Sequence, residues 1–366
     1  MNIVIPMAGL GTRFSQEGFK EPKPLIEVNG KTLVEHSIES LNLDGRYIFI
    51  TRGYENVDYN LQLSEILKSI VPDCTEIQIN QTTRGAAETC LFAKDLINNE
   101  SPLVITNCDQ RLEWNASDFV SYIKDDMDGI IVTHDSINPK HSFAVVNEDN
   151  DVISMHEKEP VSSHALIGLH YWKHGYDFVT SAETLLELFS KNNRPECYIS
   201  ETYNFLINNW KKIKAYDINP SEYIPLGTPY DLSIYKGMTK EYFTEKPKTI
   251  FCDIDGTILK HAHRFSDIND NNLKVLPGVL NKFNEWDSIG HTIILCTARK
   301  ESAREMTERH LKSLGICYDQ LIMGLTSGQR VLINDKINND CDDRATGVNL
   351  LTDRGFKSTD WEGYGL

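Results

Sequence analysis

The chain has 366 residues, 40% hydrophobic and 25% charged, with 37 Lys+Arg against 53 Asp+Glu and a formal charge of −16. This length predicts about two domains, each able to bury a core, and the composition excludes a largely disordered chain. So acidic a chain is expected to bind neither nucleic acid nor an anionic membrane surface. Asn2 to Pro6 reads as a short buried strand, followed by a glycine loop. Val34 to Leu41 has helical period, Tyr47 to Thr51 is an apolar run of strand length, and Leu61 to Val71 is helical again. Glu76 to Ile79 is strand-like, Ala86 to Leu96 helical, and Leu103 to Thr106 a strand ending at Asn107-Cys108-Asp109. Strands alternating with helices predict an α/β sheet with parallel strands. Gly129 to Tyr171 is richer in strands, and Leu185 to Lys191 and Tyr203 to Lys211 are helical. The pattern restarts after the polar, proline-containing stretch Thr244 to Lys248. Thr249 to Cys252 is a strand, Val279 to Trp286 a helix, His291 to Cys296 a strand, Ala303 to Leu314 a helix and Val331 to Ile333 a strand. Domains are expected at 1–244 and 245–366.

The acid is uneven. Residues from Glu245 onward hold 16 basic and 18 acidic side chains, so nearly all of the surplus lies in Met1 to Thr244, at −14. Such a surplus is either a solvated surface or a set of metal-holding carboxylates, and composition does not choose. None of the eight cysteines is spaced as C-x-x-C, and Cys252 and Cys296 sit in apolar runs. A reduced, cytoplasmic setting is expected. The start of the chain lacks a basic stretch followed by a signal-length apolar one, and no apolar run approaches the ~18 residues of a membrane span. Nothing in the sequence sets the oligomeric state.

In the second half, Asp253-Ile254-Asp255-Gly256-Thr257 follows a buried strand. Ligands of an open parallel sheet bind outside the carboxyl ends of its strands. The other strands here end at Thr297 and at Asn334-Asp335, so three acids and a hydroxyl converge on one edge. That donor set suits Mg²⁺, which takes oxygen ligands and phosphate partners.

In the first half, Ala8-Gly9-Leu10-Gly11-Thr12-Arg13-Phe14 makes a poor dinucleotide fingerprint, because Phe14 stands at the third glycine position. It reads better as an anion cradle of backbone N–H groups with Arg13 adding charge. Ten residues on, Pro22 and Pro24 hold Lys23 in a stiff segment.

The order Asp253-x-Asp255-Gly256-Thr257, Thr297, Asp335 resembles the haloacid dehalogenase superfamily of phosphatases, over about the last 120 residues. The resemblance implies a Rossmann-like domain in which Asp253 attacks the phosphoryl group and Asp255 acts as acid and base. It also implies Mg²⁺ held by Asp253, Asp335 and the Asp255 carbonyl, with Thr297 on a phosphoryl oxygen. The superfamily's lysine before the last acidic motif is absent. Arg330 and Lys336 are the candidates to replace it. The gaps after Thr257 and Thr297 leave no room for a large cap.

The run from Gly9 to Leu25 resembles the signature of nucleotidyltransferases that make sugar nucleotides and related activated alcohols. Further similar segments follow in order: Gln81 to Ala87 as a base-reading loop, Asp109 as a metal ligand, Glu157-Lys158-Glu159-Pro160 as a sugar-phosphate segment, Gly168 to Tyr171 as the following strand, and Leu226-Gly227-Thr228-Pro229-Tyr230-Asp231-Leu232 as a closing motif. The resemblance implies a Rossmann-like domain with a mixed sheet. Ala8, Gly9, Gly11, Thr12, Arg13, Gln81 and Gly85 would bind the nucleoside triphosphate, and Glu157, Lys158 and Gly168 the acceptor. Lys23 would stabilise the α-phosphate, Arg13 the leaving pyrophosphate, and Asp109 Mg²⁺. A second metal Asp, usual just before the Gly-Thr-Pro, is missing. Glu201, Asp217 and Glu222 are candidates to replace it.

The expectation is a bifunctional enzyme: a nucleotidyltransferase using CTP or UTP on a phosphorylated sugar or polyol, and a phosphatase. Together they would supply an activated precursor for surface polysaccharide. Two rivals stand beside it: a phosphatase regulated by a degenerate nucleotide-binding domain, and a transferase carrying an idle phosphatase fold.

Overall fold

The computed structural model describes residues 1–192, 196–237, 248–261, 274–289, 291–326, 328–334, 345–364 and 366. They form two compact units, Met1–Glu245 and Lys246–Leu366.

The first unit is built on a nine-stranded mixed sheet. Its centre is parallel: Leu103–Thr106, Asn2–Met7, Arg46–Arg52 and Thr75–Ile79 lie side by side in that order. The apolar runs of Leu103–Thr106, Asn2–Met7 and Arg46–Arg52 are buried on both faces, as parallel strands require, while the edge strand Thr75–Ile79 buries only Ile79. Beyond Leu103–Thr106 the sheet turns antiparallel through His164–Trp172, which also pairs with Ser142–Val146 and Gly129–Asp135. Its register shifts between Leu166 and His170, around Gly168. Gly168 is left-handed at φ +80°, and a Cβ there would meet the Asn107 amide at 2.0 Å, so glycine is required.

Helix Leu33–Leu41 starts at a capping box between Thr32 and Glu35 and ends at Asn42, left-handed at φ 48°. Helix Val57–Ile70 begins a turn earlier than its apolar period suggests, because Val57 and Leu61 are exposed and Asn56 caps it by accepting from the Asp58 N–H. The run from Ala86 is broken into Ala86–Cys90, a 3-10 turn at Leu91–Ala93, and Lys94–Ile97.

The second unit has three parallel strands, Thr249–Asp253, Thr292–Cys296 and Gln320–Ile322, with Thr292–Cys296 in the middle. Helices Val279–Ile289 and Arg304–Ser313 accompany them, and Phe283, Trp286 and Phe356 fill the core. One expectation is corrected here. Val331–Ile333 is not a strand, and its side chains are 73%, 58% and 91% exposed. The third strand is Gln320–Ile322 instead. Three apolar residues are too few for periodicity to separate a strand from an apolar loop. Asp335 and Lys336 lie outside the described residues, as does much of the gap after Thr257 used to argue for a missing cap. None of the seven described cysteines is in a disulfide. No described helix is long and apolar enough to cross a membrane.

Candidate functional site

The glycine loop leaves the end of Asn2–Met7, at the carboxyl edge of the parallel strands. Ala8 is buried, Gly9 is open, and Gly11 takes φ +62° to start the short helix Thr12–Gln16. The N–H groups of Gly9 through Arg13 find no acceptor among the described residues, which leaves a row of donors. Thr12 and Arg13 are exposed, and the Arg13 guanidinium also has no hydrogen-bond partner among the described residues.

Pro22 and Pro24 set a 3-10 turn, closed by Leu25 N–H donating to the Pro22 carbonyl at 2.8 Å. This turn carries Lys23 against the loop. A Cβ on Gly11 would approach the Lys23 Cβ to 3.2 Å, so the loop packs on the lysine stem. The Lys23 ammonium lies 5.7 Å from the ring centroid of the buried Phe14 and donates to Asp109 Oδ2. Burial pulls the Lys23 pKa down, the Asp109 carboxylate pushes it up, and the net direction is up, so the ammonium stays charged.

Asp109 follows Leu103–Thr106 and is pinned from behind, where its carbonyl accepts from the Leu226 N–H at 2.8 Å. Gly227 is needed at this contact, since a Cβ would lie 2.9 Å from Asp109 Oδ2. The same Cβ would be 3.9 Å from Asp231 Oδ2, so two carboxylates flank one glycine. Asp231 belongs to the closing segment Leu226 to Leu232, but no role of its own was legible for it in the sequence. Its signal was its place in the first turn of helix Pro229–Gly237, with its N–H on Thr228 Oγ1 at 3.1 Å. Two of the suggested substitutes for the second acid are engaged elsewhere. Asp217 pairs with His164 and Thr133, and Glu222 caps Asn219. Glu201 stands by Glu157 and Tyr198, whose pKa values it helps to raise.

Gln81 is exposed in the loop after Thr75–Ile79. Gly85, at φ +146°, abuts the backbone of Cys197: a Cβ would meet the Cys197 carbonyl oxygen at 2.4 Å. Cys197 N–H donates to the Arg84 carbonyl at 2.8 Å, and its own carbonyl accepts from Ala87 N–H at 3.3 Å. The next residues of that segment reach the other predicted subsite. Lys158, left-handed at φ 53°, donates from Nζ to the Tyr198 hydroxyl at 2.6 Å. The Glu157 carboxylate accepts from Ser142 and, at 3.0 Å, from Ser200. Burial raises the Glu157 pKa. Tyr198 and Ser200 were invisible as site residues, because no motif marks them.

In the second unit the Asp253 carboxylate accepts from Thr257 Oγ1 at 3.2 Å and from Arg330 Nη2 at 2.6 Å. Arg330 therefore meets the expected nucleophile. Asp255 is held at both oxygens by Arg299, at 2.9 and 2.6 Å, and Thr297 Oγ1 donates to it at 3.3 Å. Arg299 is 4% exposed and was missed, although it stands two residues after Thr297. Gly256 takes φ +85° against Thr352.

No group of three or more potential metal ligands occurs among the described residues. Asp109 with Asp231 is an all-oxygen pair beside a phosphate-type cradle, a donor chemistry that fits Mg²⁺. In the second unit Asp253 and Asp255 are both engaged by arginines.

No family model matches the chain. The Bifunctional protein GlmU of Methanococcus maripaludis is 24% identical over 245 residues, covering 63% of this chain and 53% of that protein. The UTP–glucose-1-phosphate uridylyltransferase AglF of Haloferax volcanii is 25% identical over 238 residues, covering 63% of this chain and 93% of that protein. The chain spans about half the length of the GlmU relatives it matches. Among solved structures, a nucleoside-diphosphate-sugar pyrophosphorylase from Vibrio cholerae is 26% identical with a TM-score of 0.57, over 64% of this chain and 100% of that one. An inositol-1-phosphate CTP transferase from T. maritima, 16% identical with a TM-score of 0.51 over 66% of this chain and 93% of that one, shares the fold. The first unit carries the fold and the sequence likeness of the sugar-phosphate nucleotidyltransferases.

Proposed function

We propose that the first unit transfers a nucleotidyl group from a nucleoside triphosphate, CTP or UTP by preference, to a phosphorylated sugar or polyol. A phosphate oxygen of the acceptor bonds to the α-phosphorus, and the bond to the leaving pyrophosphate breaks. The observation that carries this reading is the Lys23–Asp109 ion pair beneath a row of unpaired loop N–H groups. It supports a site that offers fixed positive charge and donors to phosphate oxygens. Arg13 and the loop hold the departing pyrophosphate, and Lys23 the α-phosphate. Glu157 and Lys158, with Tyr198, hold the acceptor. Asp109 and Asp231 would hold Mg²⁺, which when bound neutralises phosphate charge.

The second unit is proposed to be a haloacid dehalogenase-type phosphatase. An Asp253 oxygen bonds to phosphorus as the leaving oxygen departs, and water then cleaves the aspartyl-phosphate to release phosphate. Arg330 supplies the cation that the absent lysine would give, and Thr297 a donor. Asp335, outside the described residues, would complete a Mg²⁺ site with Asp253. Among the described residues the Asp253 and Asp255 carboxylates are engaged by Arg330 and Arg299. The pairing suits an acceptor with two phosphates, one removed and the other activated, as precursor supply for a surface polysaccharide would need.

The test is a screen of four nucleoside triphosphates against phosphorylated sugars and polyols, read by released pyrophosphate and free phosphate. Pyrophosphate from one pair supports the first unit's role; none from any pair leaves the regulatory-domain rival. The Arg299 clamp on Asp255 favours a second reading, an idle phosphatase fold. Hydrolysis of p-nitrophenyl phosphate that survives Asp253→Asn would remove Asp253 as nucleophile.

A further inference from the structure

In an acidic unit arginines readily find side-chain acceptors, and the described arginines of this one do so with two exceptions. Arg84 pairs with Glu88, Arg111 with Glu113, and Arg46 donates to Thr75 Oγ1. Among the described arginines of the first unit, only Arg13 and Arg52 have no hydrogen bond or ion pair. Arg13 is exposed on the glycine loop. Arg52 is half-buried, and its Nη1 is wholly buried without an acceptor. A buried charged donor left unpaired is unfavourable, so its persistence calls for a partner absent from the chain itself.

Its position says what kind of partner. Arg52 ends the strand Arg46–Arg52, which lies between the strand that feeds the glycine loop and the strand that feeds the Gln81 loop. It stands opposite Ile79, just before Asn80 and Gln81. Strand residues alternate faces, so Arg52 shares the face of Ile48 and Ile50. Those two belong to the core that contains Ala8, Ile79 and Ala87, residues of or beside the two predicted nucleotide loops. The next residue is glycine, and a Cβ there would strike Asn80 Oδ1 at 2.0 Å. The chain keeps this edge low, with an arginine and an amide side by side.

We propose that Arg52 is a nucleotide-binding residue whose guanidinium donates to an oxygen acceptor of the nucleoside triphosphate, at the sheet edge between the two loops. This rests on the reading of the first unit as a nucleotide site. The acceptor oxygen is on a phosphate or on the ribose or base, and both are the same donor chemistry.

The experiment measures binding of CTP, UTP and inorganic tripolyphosphate to the full chain and to Arg52→Met and Arg52→Lys by calorimetry, with thermal melts of each. Arg52→Met is expected to weaken nucleoside triphosphate binding about 10- to 100-fold, the loss of one charge-assisted hydrogen bond. It should leave acceptor KM unchanged and the melting temperature of the free chain equal or higher, because an unpaired buried donor is removed. Arg52→Lys should bind between the two. Tripolyphosphate weakened in parallel assigns the contact to phosphate; tripolyphosphate unaffected assigns it to the nucleoside. Unchanged nucleotide affinity, or a loss matched by a lower melting temperature, overturns the inference. If the wild-type chain binds no nucleoside triphosphate, the nucleotide reading itself falls, and this inference with it.

Discussion

Lys23 and Asp109 are 86 positions apart and share a part-buried ion pair at the carboxyl edge of the first unit's sheet. The Asp109 carboxylate keeps the Lys23 ammonium charged in surroundings whose burial would otherwise favour the neutral amine. The pair is the point where the proline-stiffened turn, the glycine loop and the strand Leu103–Thr106 meet.

Lys23→Met is expected to lower kcat for pyrophosphate release by roughly 10²- to 10³-fold, the range for removing one positioned charge stabiliser. Asp109→Asn should lower it comparably, and it also leaves the Lys23 ammonium without the charge that holds its pKa up. Initial rates at saturating substrates check both. A loss confined to KM would show that the pair only assists binding.

Gly85 predicts a different kind of failure. Its φ of +146° and the Cys197 carbonyl 2.4 Å from a would-be Cβ leave no place for alanine without moving backbone. Gly85→Ala should cost about 1–3 kcal/mol of stability. It should also raise KM for both substrates together, because the Cys197 segment continues into Tyr198 and Ser200, the partners of Lys158 and Glu157. Denaturant titration and two KM values test this. A rise in nucleotide KM alone would separate the two loops.

Asn2–Met7, Arg46–Arg52 and Leu103–Thr106 were legible because each is built on a short apolar run, and Leu103–Thr106 has the predicted bounds. The loop, Lys23 and Asp109 were legible because glycine, proline and a strand-end acid each leave a local mark. Val331–Ile333 misled because apolarity without length does not specify a partner strand. Arg299 and Arg52 were hidden for one shared reason. Each owes its place to a contact across the fold, with Asp255 and the neighbouring strand Thr75–Ile79 respectively.

Three buried histidines predict acid sensitivity. Burial holds His170 and His134 down at about 3, and His141 well below the usual imidazole value. A depressed folded value gives stability that is present above the unfolded value of 6.5 and is lost as pH falls toward the folded one. Two pH units below 6.5, His170 and His134 each contribute a loss of about 2–3 kcal/mol, and His141 acts in the same direction. Unfolding free energy measured from pH 7.5 to 4.5 should therefore fall steeply. His170 packs against Trp172 and Tyr203 with Nδ1 unpaired, so His170→Phe keeps the ring and should flatten that fall by its share. An unchanged pH slope in the variant would mean that His170 stays neutral in both states.

The last prediction concerns the leaving group at the second unit. A general acid must carry a proton, and Asp255 has both oxygens accepting from the buried Arg299. In that arrangement both oxygens are engaged as acceptors, and neither is free to turn to the leaving oxygen. General acid help is worth about 10²- to 10⁴-fold when the departing oxygen is a poor leaving group. The wild-type chain should therefore hydrolyse p-nitrophenyl phosphate, whose leaving group needs no proton, faster than an alkyl phosphate by about that factor. Arg299→Gln loosens one end of the clamp and should narrow the gap by speeding the alkyl ester, while the aryl ester barely changes. Rates for a series of phosphate esters of graded leaving-group basicity, in both proteins, give the slope directly. Equal slopes would mean that Asp255 leaves Arg299 whenever substrate binds, and the clamp would then be a resting arrangement with no control over the chemistry.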